Sequence, residues 1–169
     1  FRRVLFRSDC DFEMIIFRAV FIVFCLGISL NAPIALAQTL SVTSTKKTIN
    51  LEEQIVVKVI VSSPAQAMNA VSASLSFPAT LSVVSLDKSG SIIDFWTDEP
   101  HVVGGKIVFE GIALNPGYQG SAGNLFTVTF SGKKEGVASL VFSDASILAN
   151  DGLGSNILAG LGNAKITIR

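Results

Sequence analysis

Four carboxylates gathered in a short stretch, Asp94, Asp98, Glu99 and Glu110, are the residues of this chain best suited to do chemistry. Cleaving a glycosidic bond needs two such groups facing each other across a cleft, about 5 to 9 Å apart according to mechanism. A charged loop beside a sheet accounts for the same four residues, and both readings stand at this point. His101 is the only histidine, so a His-rich metal site is excluded and a Ser-His-Asp triad would have to use it. It lies in Glu99-Pro100-His101, a turn-like context, and no G-x-S-x-G elbow occurs anywhere, so a solvated loop histidine is expected. The run Asn150-Asp151-Gly152-Leu153-Gly154-Ser155-Asn156 suggests a calcium loop at first sight. It lacks the D-x-[DN]-x-[DN]-G order and the closing bidentate Glu, and reads as a turn. Trp96 and Tyr118 are the two rings that could stack on a sugar, against core packing or a lone interface anchor for Trp96.

These groups must be carried by some scaffold, and the first 37 residues are not part of it. They hold six of the twelve Phe, both Cys and four of the five Arg. Phe1 to Ser8 (FRRVLFRS) matches, letter for letter, the conceptual translation of a common sequencing adapter. Residues 1–13 are therefore set aside, with Met14 as the expected start. Residues 14–37 read as an export signal: Arg18, the apolar run Ala19 to Leu30, a break at Asn31-Ala32-Pro33, and small residues at Ala35 and Ala37. The run of 12 residues is short for a membrane span, which needs about 20. Cleavage is expected before Gln38, which places the chain outside the cell, with surface attachment left to a segment beyond Arg169.

The remaining 132 residues carry nine Lys and Arg against ten Asp and Glu and contain no cysteine. Nucleic acid is excluded as a partner, because phosphate binding needs a basic face and none is present. A disulfide framework, a thiolate nucleophile and a Cys-based metal site are equally excluded, so this exported domain is held by its apolar core. A domain near this size buries roughly two-thirds of its unfolded surface, which is enough.

That core is written in period two. The segment has 14 Val, 11 Ile and 9 Thr, a strand composition. In Val71 to Phe77, apolar residues alternate with Ser72, Ser74 and Ser76, putting three hydroxyls on one face and the apolar set on the other. Ile55, Val57, Val59 and Val61 alternate around Lys58, and Phe126, Val128 and Phe130 around Thr127 and Thr129. Nine strands are expected, near 40–45, 54–62, 69–77, 81–86, 92–97, 106–113, 124–131, 137–142 and 164–168. Turn signals separate them, among them Ser63-Pro64, Gly104-Gly105 and Asn115-Pro116-Gly117. No window shows a helical stripe, and the fold class is all-β, a nine-stranded β-sandwich with jelly-roll topology. Residues 147–162 read as a long excursion before the last strand.

Three blocks in order resemble the cohesin module of bacterial scaffold and cell-surface proteins: Met68 to Leu81 (MNAVSASLSFPATL), Lys106 to Leu114 (KIVFEGIAL) with Gly123 to Phe130 (GNLFTVTF), and Val137 to Gly154 (VASLVFSDASILANDGLG). The resemblance covers residues 38–168. It implies a non-catalytic module that binds a dockerin-bearing protein in polysaccharide degradation or surface attachment. It also implies no cofactor of its own, calcium being expected on the dockerin alone. The family's docking face is made by strands eight, three, six and five. Carried over, that face presents Ser72, Ser74 and Ser76 from strand three, Val108, Glu110 and Ile112 from strand six, Asp94 and Trp96 from strand five, and Ser139 and Val141 from strand eight. Where the family places an Asn and an Asp at the start of strand three this chain has Ala70 and Ser72, so partner specificity is not carried over. By pattern alone, three exposed serines also serve simply to keep a strand soluble and unpaired. A carbohydrate-binding module touching polysaccharide directly is the alternative reading.

Overall fold

The computed structural model describes residues 36–169, and every regular element among them is a strand. The reading of residues 1–13, and all but the end of the export signal at 14–37, lie outside the described residues. Ten strands follow in order: β1 (Gln38–Ser44), β2 (Thr48–Ile49), β3 (Gln54–Ser76), β4 (Leu81–Asp87), β5 (Phe95–Val103), β6 (Lys106–Ile112), β7 (Tyr118–Gly132), β8 (Gly136–Ala149), β9 (Leu158–Gly162) and β10 (Ala164–Ile168). Among the described residues no helix is long and apolar enough to cross a membrane.

The expected alternation is realised. Ile55, Val57, Val59 and Val61 are buried, as are Val71, Ala73 and Leu75, while the residues between them lie on the opposite side of the strand. The two stretches, expected as separate strands joined by a turn at Ser63-Pro64, belong to one strand of 23 residues. Its first half pairs with β1 and β7, and its second half pairs with β6 and β8. The register slips between Val61 and Met68, so Pro64 sits at an irregularity where no ladder N–H is demanded of it. Ser63 is fully buried there, and its hydroxyl donates to the Gln66 carbonyl at 2.6 Å, so its burial leaves that hydroxyl paired.

β3 therefore crosses between two layers of a jelly-roll sandwich. One layer has the order β9-β1-β3-β7-β4 and the other β5-β6-β3-β8-β10-β2. The inward side chains of both meet in one core, with Phe126 between the rings of Phe109 (centroids 4.9 Å) and Trp96 (6.3 Å). Other strands also differ from expectation. β7 begins at Tyr118, β8 runs on to Ala149, and the excursion of residues 147–162 contains β9, parallel to β1. Glycine-rich as it is, β9 lies close against β1: a Cβ on Gly162 would meet the Ser41 side chain at 2.8 Å.

Two local features set testable stabilities. In β8, Asp144 and Ala145 together oppose Ala73, since Ser72 pairs with Ser146 and Ser74 with Ser143. Asp144 adopts φ 50° in this bulge, a conformation that costs β-branched residues most. Asp144→Val should lower stability by about 1–2 kcal/mol in denaturant unfolding, and Asp144→Gly should not.

The second is the turn from Asn50 to Glu53. The Glu53 carboxylate accepts from Lys46 Nζ, from the Asn50 backbone N–H at 2.9 Å and from Asn50 Nδ2 at 3.0 Å. The Lys46 hydrogen bond, followed by that of the Asn50 N–H, holds its pKa below the ordinary Glu value. Asp87 and Asp151 are lowered likewise, through Ser89 and through Ser155 with the Leu153 N–H. A depressed folded value means a contribution complete above the unfolded carboxylate range near 4 and lost as pH falls through the folded value. The thermal midpoint should thus decline below pH of about 4, and Glu53→Gln should lessen that decline.

Candidate binding face

The outward side of the second layer is built by register. In β3 Ser72 pairs with Glu110, Ser74 with Val108 and Ser76 with Lys106 of β6. On its other edge Ser72 pairs with Ser146, Ser74 with Ser143 and Ser76 with Val141 of β8. Residues that pair across an antiparallel ladder share a side of the sheet. Ser72, Ser74, Ser76, Val108, Glu110, Ile112, Ser139 and Val141 are accordingly brought onto one face. The three β3 serines are half-buried, and the Ser72 and Ser146 hydroxyls lie 2.9 Å apart, one donating to the other.

Strand five differs from the sequence reading. Asp94 precedes β5, and its carboxylate accepts the Leu114 backbone N–H at 2.8 Å. Trp96, expected on the face, turns inward. It pairs with Gly111, whose neighbours Ile107 and Phe109 point into the core, and it packs against that core edge-on to Phe126. The physical reason is the missing side chain of Gly111: a Cβ there would lie 3.0 Å from the Trp96 ring, so the indole fills the space that glycine leaves. With Trp96 inside, alternation puts Phe95 outside. It pairs with Ile112 and is 57% exposed, making it the exposed aromatic of the face.

Beyond Trp96 the strand is bulged, with register slips on both sides of Asp98. Pro100 is buried and His101 pairs with Val108, so the expected turn at Glu99-Pro100-His101 is an irregular edge strand. The His101 Nδ1 lies 2.7 Å from the Glu99 carbonyl and 3.3 Å from Asp98 Oδ1. Glu99 is paired with Lys88. Three of the four carboxylates thus have a partner, Asp94 a backbone amide, Glu99 a lysine and Asp98 the His101 ring, and Asp98 and Glu110 stand opposite each other across the β5–β6 ladder.

Tyr118, the other ring considered for sugar stacking, packs partly against the core, with its hydroxyl accepting from the Ala122 N–H at 3.2 Å. Gly120 and Gly123 leave room for that side chain, since a Cβ on Gly120 would meet the Tyr118 hydroxyl at 2.6 Å and one on Gly123 the ring at 2.7 Å. Neither Trp96 nor Tyr118 is free to form a platform. The Asn150 to Asn156 segment is a turn: Asp151 Oδ1 accepts the Leu153 N–H at 2.8 Å within it, and Asn150 Nδ2 ties it to the Pro116 carbonyl at 2.7 Å.

The face is therefore the outward side of β8, the second half of β3, β6 and β5, with hydroxyls at its centre and apolar and charged side chains around them. A set of solved structures shares this architecture. A non-cellulosomal cohesin from the archaeon Archaeoglobus fulgidus superposes with a TM-score of 0.62 at 21% identity, over 79% of this chain and 90% of that one. The chain has the cohesin fold. The seventh type I cohesin of a scaffold protein of Pseudobacteroides cellulosolvens superposes on this cohesin fold with a TM-score of 0.64 at 20% identity, over 79% of this chain and 92% of that one. A type I cohesin–dockerin complex from Clostridium thermocellum contributes a third, with a TM-score of 0.60 at 16% identity, over 78% of this chain and 99% of that one. No family model matches the sequence, and no curated protein matches it.

The residues that the sequence reading missed on this cohesin-fold face are Phe95, Ser143 and Ser146. Gly111 was the available signal for Phe95. An inward position without a side chain, in a strand otherwise alternating Ile107, Phe109, calls for a large neighbour to fill it, and only one of two adjacent aromatics can do so.

Proposed function

We propose that this chain is a non-catalytic, exported binding module whose β5-β6-β3-β8 face docks a dockerin-bearing protein. The observation that carries the reading is the assembly of these four segments into one hydroxyl-centred face in a cohesin fold. Solved structures of this fold include cohesin–dockerin complexes. The setting proposed is outside the cell, in polysaccharide degradation or surface attachment, and the calcium of the complex belongs to the partner. Interfaces of this kind draw most of their energy from a few anchors, and Phe95, Ile112 and Glu110 are the candidates.

The test is capture of recombinant dockerins by the immobilised protein, with and without a calcium chelator, beside binding to insoluble glucans. Calcium-dependent capture weakened at least about tenfold by Phe95→Ala, a loss within the range of a single anchor, supports the proposal. Glucan binding indifferent to chelator, with no dockerin captured, supports direct polysaccharide contact instead and overturns it.

A further inference from the structure

The start of β1 joins a sequence signal to a place in the fold. Small residues at Ala35 and Ala37 set the expected cleavage before Gln38, and β1 begins at that same residue. Leu36, 56% exposed, and Ala37 lie outside every strand, so severing the chain after Ala37 removes nothing that the sandwich holds. Gln38 itself belongs to the fold. It pairs with Leu158 of β9, and by alternation it shares the side of Leu40 and Val42, which are buried. Its side chain is half-buried at the rim of the core, and among the described residues its amide has no hydrogen-bond partner. The amide of Gln119, by contrast, donates to the Pro64 carbonyl at 3.0 Å. The stretches that flank Gln38, 60–66 of β3, 118–124 of β7 and 156–164 around β9, contain no Asp or Glu.

We infer that Gln38 is a modification site: once the leader is cut away, its new α-amine closes onto its own side chain to give pyroglutamate. The amine nitrogen attacks the side-chain carbon Cδ, the N–Cδ bond forms, the Cδ–Nε2 bond breaks, and the departing nitrogen leaves as ammonia. The proton that the amine sheds goes to that leaving nitrogen, so the step balances with no oxidant or co-reactant. Both reacting groups sit on one residue, which makes the step unimolecular. It needs the amine unprotonated. An α-amine titrates at about 8, and here neither the acid-free flanking stretches nor the rim of the core favours its charged form. The product suits the position. The ring is neutral where an ammonium would be half-buried without a counter-ion, and its remaining N–H still donates. A blocked terminus also offers an aminopeptidase outside the cell no α-amine to grip, which protects the free end of β1, the strand that ties β9 to β3. The inference rests on the export reading and adds the chemistry of the terminus that export creates.

The test is intact mass and stepwise N-terminal degradation of the chain expressed from Met14 and collected outside the host cell, fresh and after incubation at a pH of about 8. The incubated protein should weigh one ammonia less than residues 38–169. Degradation should be blocked until pyroglutamyl peptidase acts on the unfolded chain, after which it starts at Thr39. Gln38→Ala should be exported and cut at the same place, keep its full mass and read from residue 38, with circular dichroism matching the parent. A parent that begins at Gln38 and keeps its full mass and an open terminus would overturn the inference and leave the export reading in place. So would the same loss of ammonia from Gln38→Ala, which would put the reaction elsewhere. A chain that begins at another residue, or keeps its leader, would overturn both.

Discussion

Replacing Phe126 by alanine should cost about 3–5 kcal/mol, the range for a fully buried aromatic truncated in a packed core. The ring makes two edge-on contacts, with Phe109 at 4.9 Å and Trp96 at 6.3 Å. Such pairs add about 0.5–1.5 kcal/mol beyond area burial. Against a total stability of about 5–15 kcal/mol, that loss is a large fraction of what holds the fold. The chain has one tryptophan, so its emission reports on this cluster alone. Urea unfolding followed by that emission should show a lower midpoint with an unchanged slope. Phe126→Leu, which keeps most of the volume, should lose far less. A Phe126→Ala midpoint within error of the parent would mean that the three rings do not form the keystone of the core.

Gly111→Ala should act in a different place by overpacking. The added Cβ would meet Ile93 Cγ2 at 2.6 Å and the Trp96 ring at 3.0 Å, and insertion of one carbon into a filled site typically costs about 1–3 kcal/mol. The Trp96 indole is the more exposed of the two obstacles and should give way, carrying β5 with it. Its emission should shift to the red. Because Phe95 and Asp98 ride on the same strand, partner binding should fall by more than the lost stability accounts for. Trp96→Leu made in the Gly111→Ala background should recover part of the stability, a coupling that a double-mutant cycle measures. Additive effects of the two changes would refute the claim that glycine and indole share one space.

The sandwich was readable where one face is buried and the other wet, because there the side-chain period is unambiguous: Ile55 to Val61, Val71 to Leu75 and Phe126 to Phe130 all kept their expected sides. Reading failed where a local signal was outvoted by pairing at a distance. Pro64 looks like a turn in isolation, yet the strand continues past it because the chain bends from one set of neighbours to another and the irregularity needs no amide there. Pro100 is tolerated in β5 for a related reason, since β5 is an edge with one ladder to satisfy. β9 escaped notice because glycine and alanine carry no strand signal of their own; close approach to β1 gives them a place. On the face, β3 and β6 were assigned residue by residue. β5 was misassigned because two adjacent aromatics, Phe95 and Trp96, present equal claims to either side until the glycine across the ladder decides between them.

Because a single 23-residue strand belongs to both layers, neither layer can detach while the other survives. Amide protons of Val57 to Val61 and of Val71 to Leu75 should therefore exchange with deuterium at a common slow rate, through opening of the whole domain. A partner gripping one side would thereby slow isotope uptake on the far side as well, though it touches nothing there.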